Sequence, residues 1–226
     1  MPTLVIGNKL YSSWSLRPWL LMKQLGVAFD EILIPLDLPD TRSRVLQHSP
    51  AGKVPVLIDG DVTVWDTIAI MEYVGDAYGV PVWPGDLKAR AMARSVAAEM
   101  HAGFQAIRSA CPMNLGKKYA EKDRGEGVAR DIARFSEIVA QSRGRFGQGG
   151  PFLFGAFSAA DAMYAPLVTR LDTYSITLDP TTRAYVDAVL SLPAFQEWRS
   201  AGLKEHWIVE ADEVDEEPIA VYRQAA

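Results

Sequence analysis

Ser12, Ser13 and Ser15 fall just ahead of an amphipathic run, in the stretch LYSSWSLRPWLLMKQL spanning residues 10–25. Hydroxyls at the start of a helix stand beside free amides and the positive end of its dipole, a place suited to an anion or a thiolate. No histidine lies near them in sequence to act as a base, so they read as hydrogen-bond donors and not as covalent nucleophiles. Two further clusters carry polar chemistry. Lys53-Val54-Pro55 opens a strand-like run, and proline, which lacks a ladder donor, belongs at the first residue or edge of a strand. Asp66-Thr67 places an acid and a hydroxyl at the start of another helical run, where alone they would make an ordinary cap. His48, His101 and His206 show no ligand spacing, so no metal site is expected. Cys111 is the single cysteine; an internal disulfide is impossible, and the residue reads as a small buried side chain.

The elements that must position these residues can be read from periodicity. Leu16, Trp19 and Leu20 predict a helix over residues 16–25, with Pro18 in its first turn and Ser15 as its N-cap. Arg17 either neutralises a buried carboxylate or faces solvent. Apolar runs predict strands over 4–6, 29–34, 54–58 and 62–64, with Asp59-Gly60-Asp61 turning the last two into a hairpin. Helical spacing returns over 42–47, with Thr41 as cap, and over 66–78. This order predicts a small α/β unit with a mixed sheet. Gly- and Pro-rich GVPVWPG, residues 79–85, reads as a connection between domains.

Beyond it the pattern is helical with no convincing strand: one long helix over 86–111, another over 122–142, and others near Ser158, near Thr181 and after Pro193. Met100, Phe104, Met113 and Trp207 read as core residues that could also border an apolar pocket, and Glu99 and His101 as groups on a helix walling a cleft. The acidic tail, 210–217, reads as a solvated and weakly ordered end.

Bulk properties narrow the class. A chain of 226 residues with 49% hydrophobic and 23% charged residues can bury a substantial core. A net charge of −5 supplies no footprint for nucleic acid. No apolar run reaches membrane-spanning length and the first residues lack a basic leader, so a cytoplasmic location is expected.

Four stretches in this order, SSWSLR, KVP at 53–55, DT at 66–67 and the capping-box pattern Ser158-Ala159-Ala160-Asp161, resemble the cytosolic glutathione transferase family. The resemblance covers nearly the whole chain. SSWSLR is most similar to the SSCSxR signature of the zeta class, with Trp14 where that class has cysteine, and counting back from Arg17 gives a theta-like alignment.

The resemblance implies a thioredoxin-like N-terminal domain (residues 1–80), a linker (81–85) and an all-helical C-terminal domain (86–226). It implies glutathione as co-substrate, a small electrophile as second substrate, and a homodimer. Ser13 or Ser12 would donate to the glutathione sulfur, Ser13 being one residue closer to the predicted helix. Val54, ahead of a cis Pro55, would pair with the cysteinyl backbone. Asp66 and Thr67 would take the γ-glutamyl end, and Lys53 the glycyl carboxylate. Conjugation, a maleylacetoacetate-type cis–trans isomerisation, and a binding protein without turnover all remain open on these residues. The absence of cysteine at positions 12 and 13 disfavours thiol-transfer chemistry.

Overall fold

The computed structural model describes residues 1–223. Leu4, Val5 and Ile6 are wholly buried because β1 (Thr3–Ile6) is an inner strand, parallel to β2 (Asp30–Leu33) on one side and antiparallel to β3 (Val56–Asp59) on the other. A two-residue turn leads from β3 to β4 (Val62–Trp65), where Gly60 takes a φ of 61° that glycine adopts without steric cost. The sheet order is β2-β1-β3-β4. Helices α1 (Ser13–Gln24), α2 (Thr41–Leu46) and α3 (Thr67–Tyr78) complete a βαβαββα unit of the thioredoxin type. Thr41 is the first residue of α2 and not its cap: its Oγ1 accepts from Leu38 N–H and donates to the Pro35 carbonyl.

All the long helices that follow lie in one all-helical domain: α4 (Leu87–Ala102), α5 (Gln105–Ala110), α6 (Glu126–Phe146), α7 (Ala159–Thr173), α8 (Pro180–Leu190) and α9 (Pro193–Gly202). Nearly every residue of α7 is buried, and it packs against α1 as well as α4 and α8. Its start is fixed by the expected capping box: Asp161 accepts from Ser158 N–H and hydroxyl, and also from Leu153 N–H. Burial pushes the Asp161 carboxyl up to about 6, against the pull of those hydrogen bonds.

Several expectations are corrected here. The single helix over 86–111 is two, because Gly103 is extended and Phe104 takes a φ of 60°. Arg108 then turns back to cap the open end of α4, bonding the Gly103 and Met100 carbonyls. The helix expected over 122–142 starts later and continues to Phe146. Short strands do occur after the linker, β5 (Lys117–Lys118) pairing with β6 (Ala220–Val221). The acidic tail is tied down: Glu213 accepts from Tyr11, Asn114 and Lys117, and Glu216 from Lys122 and Arg124. No helix among the described residues is long and apolar enough to cross a membrane.

Candidate active site

The helix that carries the serines begins three residues earlier than its apolar period suggests. Ser12 occupies the N-cap position of α1 without a side-chain capping bond, and Ser15, expected as the cap, lies inside the first turn. The Ser15 hydroxyl is used instead to tie the helix to the end of β1, accepting from Gly7 N–H at 3.1 Å and from the Ser12 hydroxyl at 2.8 Å. Ser13 Oγ makes no hydrogen bond among the described residues, and its residue is 9% exposed. All three serines are buried side by side at the amino end of α1.

Pro18 falls beyond the first turn, inside the helix, so the Trp14 carbonyl has no amide to receive four residues on. The Thr67 hydroxyl donates to that carbonyl at 3.2 Å. The proline thus frees an acceptor, and the start of α3 supplies the donor that satisfies it. Asp66 sits at the N-cap of α3 with φ 71°, and its Oδ1 accepts from Ile68 N–H at 3.0 Å. Its Oδ2 stands 3.5 Å from Nε2 of His101 on α4.

Between these elements lies a cavity of about 450 Å³ lined by Lys53, Val54, Pro55, Asp66 and Thr67, together with Trp14, Ala51, Trp65 and His101. The Val54–Pro55 peptide is cis. Val54 N–H and C=O have no partner among the described residues, and neither does Lys53 Nζ, so a free peptide edge and a free ammonium face one wall. A second cavity, of about 570 Å³, adjoins it through Trp14, Lys53 and Val54 and is bordered by Leu36, Pro39 and Arg42. Trp14 therefore stands between the two spaces. Ser12 and Ser13 are not lining residues of either; they lie directly behind Trp14 in the chain.

Trp14 is itself held by cations. The Arg17 guanidinium carbon is 4.2 Å from its ring centroid and that of Arg108 is 5.1 Å, while the His101 ring meets it edge-on at 5.2 Å. Arg17 matches neither expectation for it. It has no exposed surface and, among the described residues, no carboxylate partner, and its Nε and Nη1 bond the Met163 and Ser13 carbonyls. Burial and the neighbouring Arg108 and Arg170 lower its affinity for the proton.

Met100, Phe104 and Met113 are core residues, and Glu99 pairs with Arg134 and not with the cleft. Cys111 is buried, which pushes its thiol up to about 11 and makes it a poor nucleophile. Arg108 and Trp65 carry no local motif, which is why spacing in the sequence does not single them out.

Residues 11–77 match the glutathione S-transferase N-terminal domain, and residues 125–201 match the glutathione S-transferase C-terminal domain. The chain belongs to the glutathione S-transferase family. Its similarity to individual members is distant. Over 194 residues it is 25% identical to a probable maleylacetoacetate isomerase of Caenorhabditis elegans, covering 81% of this chain and 86% of that protein. Over 205 residues it is 25% identical to glutathione S-transferase Z2 of Arabidopsis thaliana, covering 83% and 88%. Among solved structures, a glutathione transferase homolog from Burkholderia with bound glutathione superposes with a TM-score of 0.66 at 20% identity, covering 89% of this chain and 97% of that one. At that identity the glutathione transferase fold is shared.

Proposed function

We propose that this protein is a glutathione transferase that binds glutathione along the cavity between Lys53 and Asp66 and activates its sulfur at the amino end of α1. The observation that carries this reading is the shared cavity: in a family member, the free peptide edge of Val54, the free ammonium of Lys53 and the Asp66-Thr67 helix start line one space with Trp14. The γ-glutamyl ammonium would pair with Asp66, and its carboxylate with the first amides of α3. The Thr67 hydroxyl is committed to Trp14, so its contribution there is through its backbone N–H. Val54 would bond the cysteinyl backbone, and Lys53 the glycyl carboxylate.

Chemistry requires the thiolate. A thiol near pKa 8.5 is about 3% ionised at pH 7, and lowering it by roughly two units, about 2.7 kcal/mol, raises the reactive fraction more than tenfold. The thiol proton leaves to water; the sulfur then attacks an electrophilic carbon of a small, largely apolar substrate, and the leaving group departs with its electron pair. Ser13 is the proposed donor to the sulfur, because its hydroxyl is uncommitted, whereas that of Ser12 is paired with Ser15. The likeness to a probable maleylacetoacetate isomerase favours a second reading, in which the thiolate adds to a double bond, allows rotation and is expelled. A second copy of the chain is the expected partner.

Retention on immobilised glutathione and turnover of a chloronitroaromatic, compared with isomerisation of a cis-enedione, test these readings on parent, Ser12→Ala and Ser13→Ala proteins. Retention with turnover that falls in Ser13→Ala is expected. Retention without either turnover leaves a binding protein and contradicts the enzyme, and equal activity in both variants contradicts the serine mechanism.

A further inference from the structure

The segment between β1 and α1, residues 7–12, carries the chain into Ser12 and Ser13, and its shape is set from the helical domain. Within the segment, the Tyr11 and Ser12 amides both bond the Asn8 carbonyl, a turn that leaves the backbone groups of residues 9 and 10 facing outward. Those groups are met from far along the chain. The Lys9 and Leu10 amides donate to the two oxygens of Glu205, the Lys9 carbonyl accepts from the Trp198 indole at 2.7 Å, and the Leu10 carbonyl accepts from Leu115 N–H at 3.2 Å. Gly202, at the end of α9, lies so close that a Cβ there would stand 3.1 Å from the Leu10 nitrogen. A buried stretch whose backbone groups are paired in this way keeps one conformation while its partners stay in place.

Glu213 adds the grip nearest to the serines. Its Oε1 accepts from the Tyr11 phenol at 2.7 Å and from Asn114 Nδ2 at 3.0 Å, and Lys117 Nζ donates to its Oε2 at 2.6 Å. Tyr11 is buried and directly precedes Ser12, so its ring is a handle on the start of α1. Burial, and then the bond to Glu213, raise the phenol well above the usual tyrosine range, so it remains a donor at any working pH. A hydrogen bond to an ionised acceptor is roughly twice as strong as a neutral one, and this acceptor is itself held by two other donors. Among the described residues, none of 205–221 lines either cavity. Glu213 therefore stands outside the space proposed for glutathione.

We propose that Glu213 is a positioning residue for the sulfur step: through the Tyr11 phenol it fixes the segment ahead of α1 so that the Ser13 hydroxyl meets the glutathione sulfur. This rests on the glutathione transferase reading above. Residues 205–221 thereby govern the rate of a step that they do not touch. Lys53, Val54 and Asp66, which are proposed to bind glutathione, are not held by Glu213, so its loss falls on kcat and spares the glutathione KM. Moving a reacting group by about 1 Å can cost on the order of 100-fold, and the serine's own contribution caps what Glu213 can control.

The test is steady-state turnover of a chloronitroaromatic with glutathione on the full chain. Parent, Glu213→Ala, Glu213→Gln and Tyr11→Phe proteins are compared, with Glu213→Ala also placed in a Ser13→Ala background. Glu213→Ala and Tyr11→Phe are each expected to lower kcat about tenfold, with glutathione KM changed by less than about twofold. Glu213→Gln, whose amide oxygen still accepts from the phenol, should recover most of that loss. Where Ser13 is already alanine, Glu213→Ala should change kcat by less than about twofold, because two residues acting through one contact are not additive.

Parental kcat in a folded Glu213→Ala protein overturns the proposal, as does a loss that appears in the glutathione KM instead. An equal further loss in the Ser13→Ala background also overturns it, since a brace that merely stabilises the fold would act with or without the serine. Should Glu213→Ala not fold, Tyr11→Phe, which removes one hydroxyl, decides alone, and parental kcat there overturns it. A parent without turnover brings down both this inference and the function it rests on; a parent that turns over, with variants that match it, brings down this inference only.

Discussion

Ser13 and Trp14 are neighbours with opposite assignments. The serine hydroxyl is uncommitted at the amino end of α1, while the indole beside it is stacked by two guanidiniums and closes the wall between two cavities. If Ser13 donates to the sulfur, Ser13→Ala should lose roughly 10- to 25-fold in kcat/KM at pH 7 as the thiol returns toward its free pKa. Its stability should change by less than about 1 kcal/mol, since no hydrogen bond is broken; steady-state kinetics and thermal melting check the two halves. The serine cluster itself could be read from the sequence. The role of Ser15 could not, because its task is to bond Gly7 N–H across a loop, a contact that no local period encodes. Arg17 was legible only as a question, since its burial against the Met163 and Ser13 carbonyls is a property of packing.

At the scale of elements, the contact between α1 and α3 turns on one missing amide. Pro18 leaves the Trp14 carbonyl open and Thr67 closes it. Thr67→Val should therefore cost about 1 kcal/mol in denaturant unfolding and weaken glutathione binding by shifting Trp14, while Thr67→Ser keeps the bond and both properties.

The α7 cap offers a pH test. Burial holds the folded-state Asp161 carboxyl at about 6, above its ordinary value, so the folded state binds more protons than the unfolded chain between roughly pH 4 and 6. Its contribution to stability is fully present below that window and declines as pH rises through it. Asp161→Asn, unfolded in parallel with the parent, should lack that part of the slope. Asp161→Ala should cost about 2–4 kcal/mol, because Leu153 and Ser158 amides are left buried and unpaired. This capping box was legible from Ser158 and Asp161 alone. The break at Gly103 and Phe104 was not: a lone glycine in a helical run is usually tolerated, and what makes the break hold is Arg108 returning to the freed carbonyls.

Across the whole molecule, residues 205–221 act as a strap that secures the approach to α1. The Glu205 carboxylate accepts from Lys9 and Leu10 amides, Tyr11 bonds Glu213, and β6 closes on β5. Glu205→Ala should cost about 2–4 kcal/mol by leaving two buried amides unpaired, measurable as a lower denaturant midpoint. An acidic tail read in isolation looks solvated, because its cationic partners Lys117, Lys122 and Arg124 lie about a hundred residues away in sequence. The two-part architecture was legible for the opposite reason: strand, helix and turn signals are local, and they stop where the helical domain begins.

On the proposed function, glutathione lies along the cavity between Lys53 and Asp66 with its sulfur at the amino end of α1. The structure of the protein with glutathione bound tests it most directly. The expected result has the sulfur within hydrogen-bond distance of Ser13 Oγ, the cysteinyl backbone paired with Val54, and the γ-glutamyl group at Asp66 and the first amides of α3. Glutathione bound elsewhere, or in the cavity with its sulfur turned away from both Ser12 and Ser13, would contradict it.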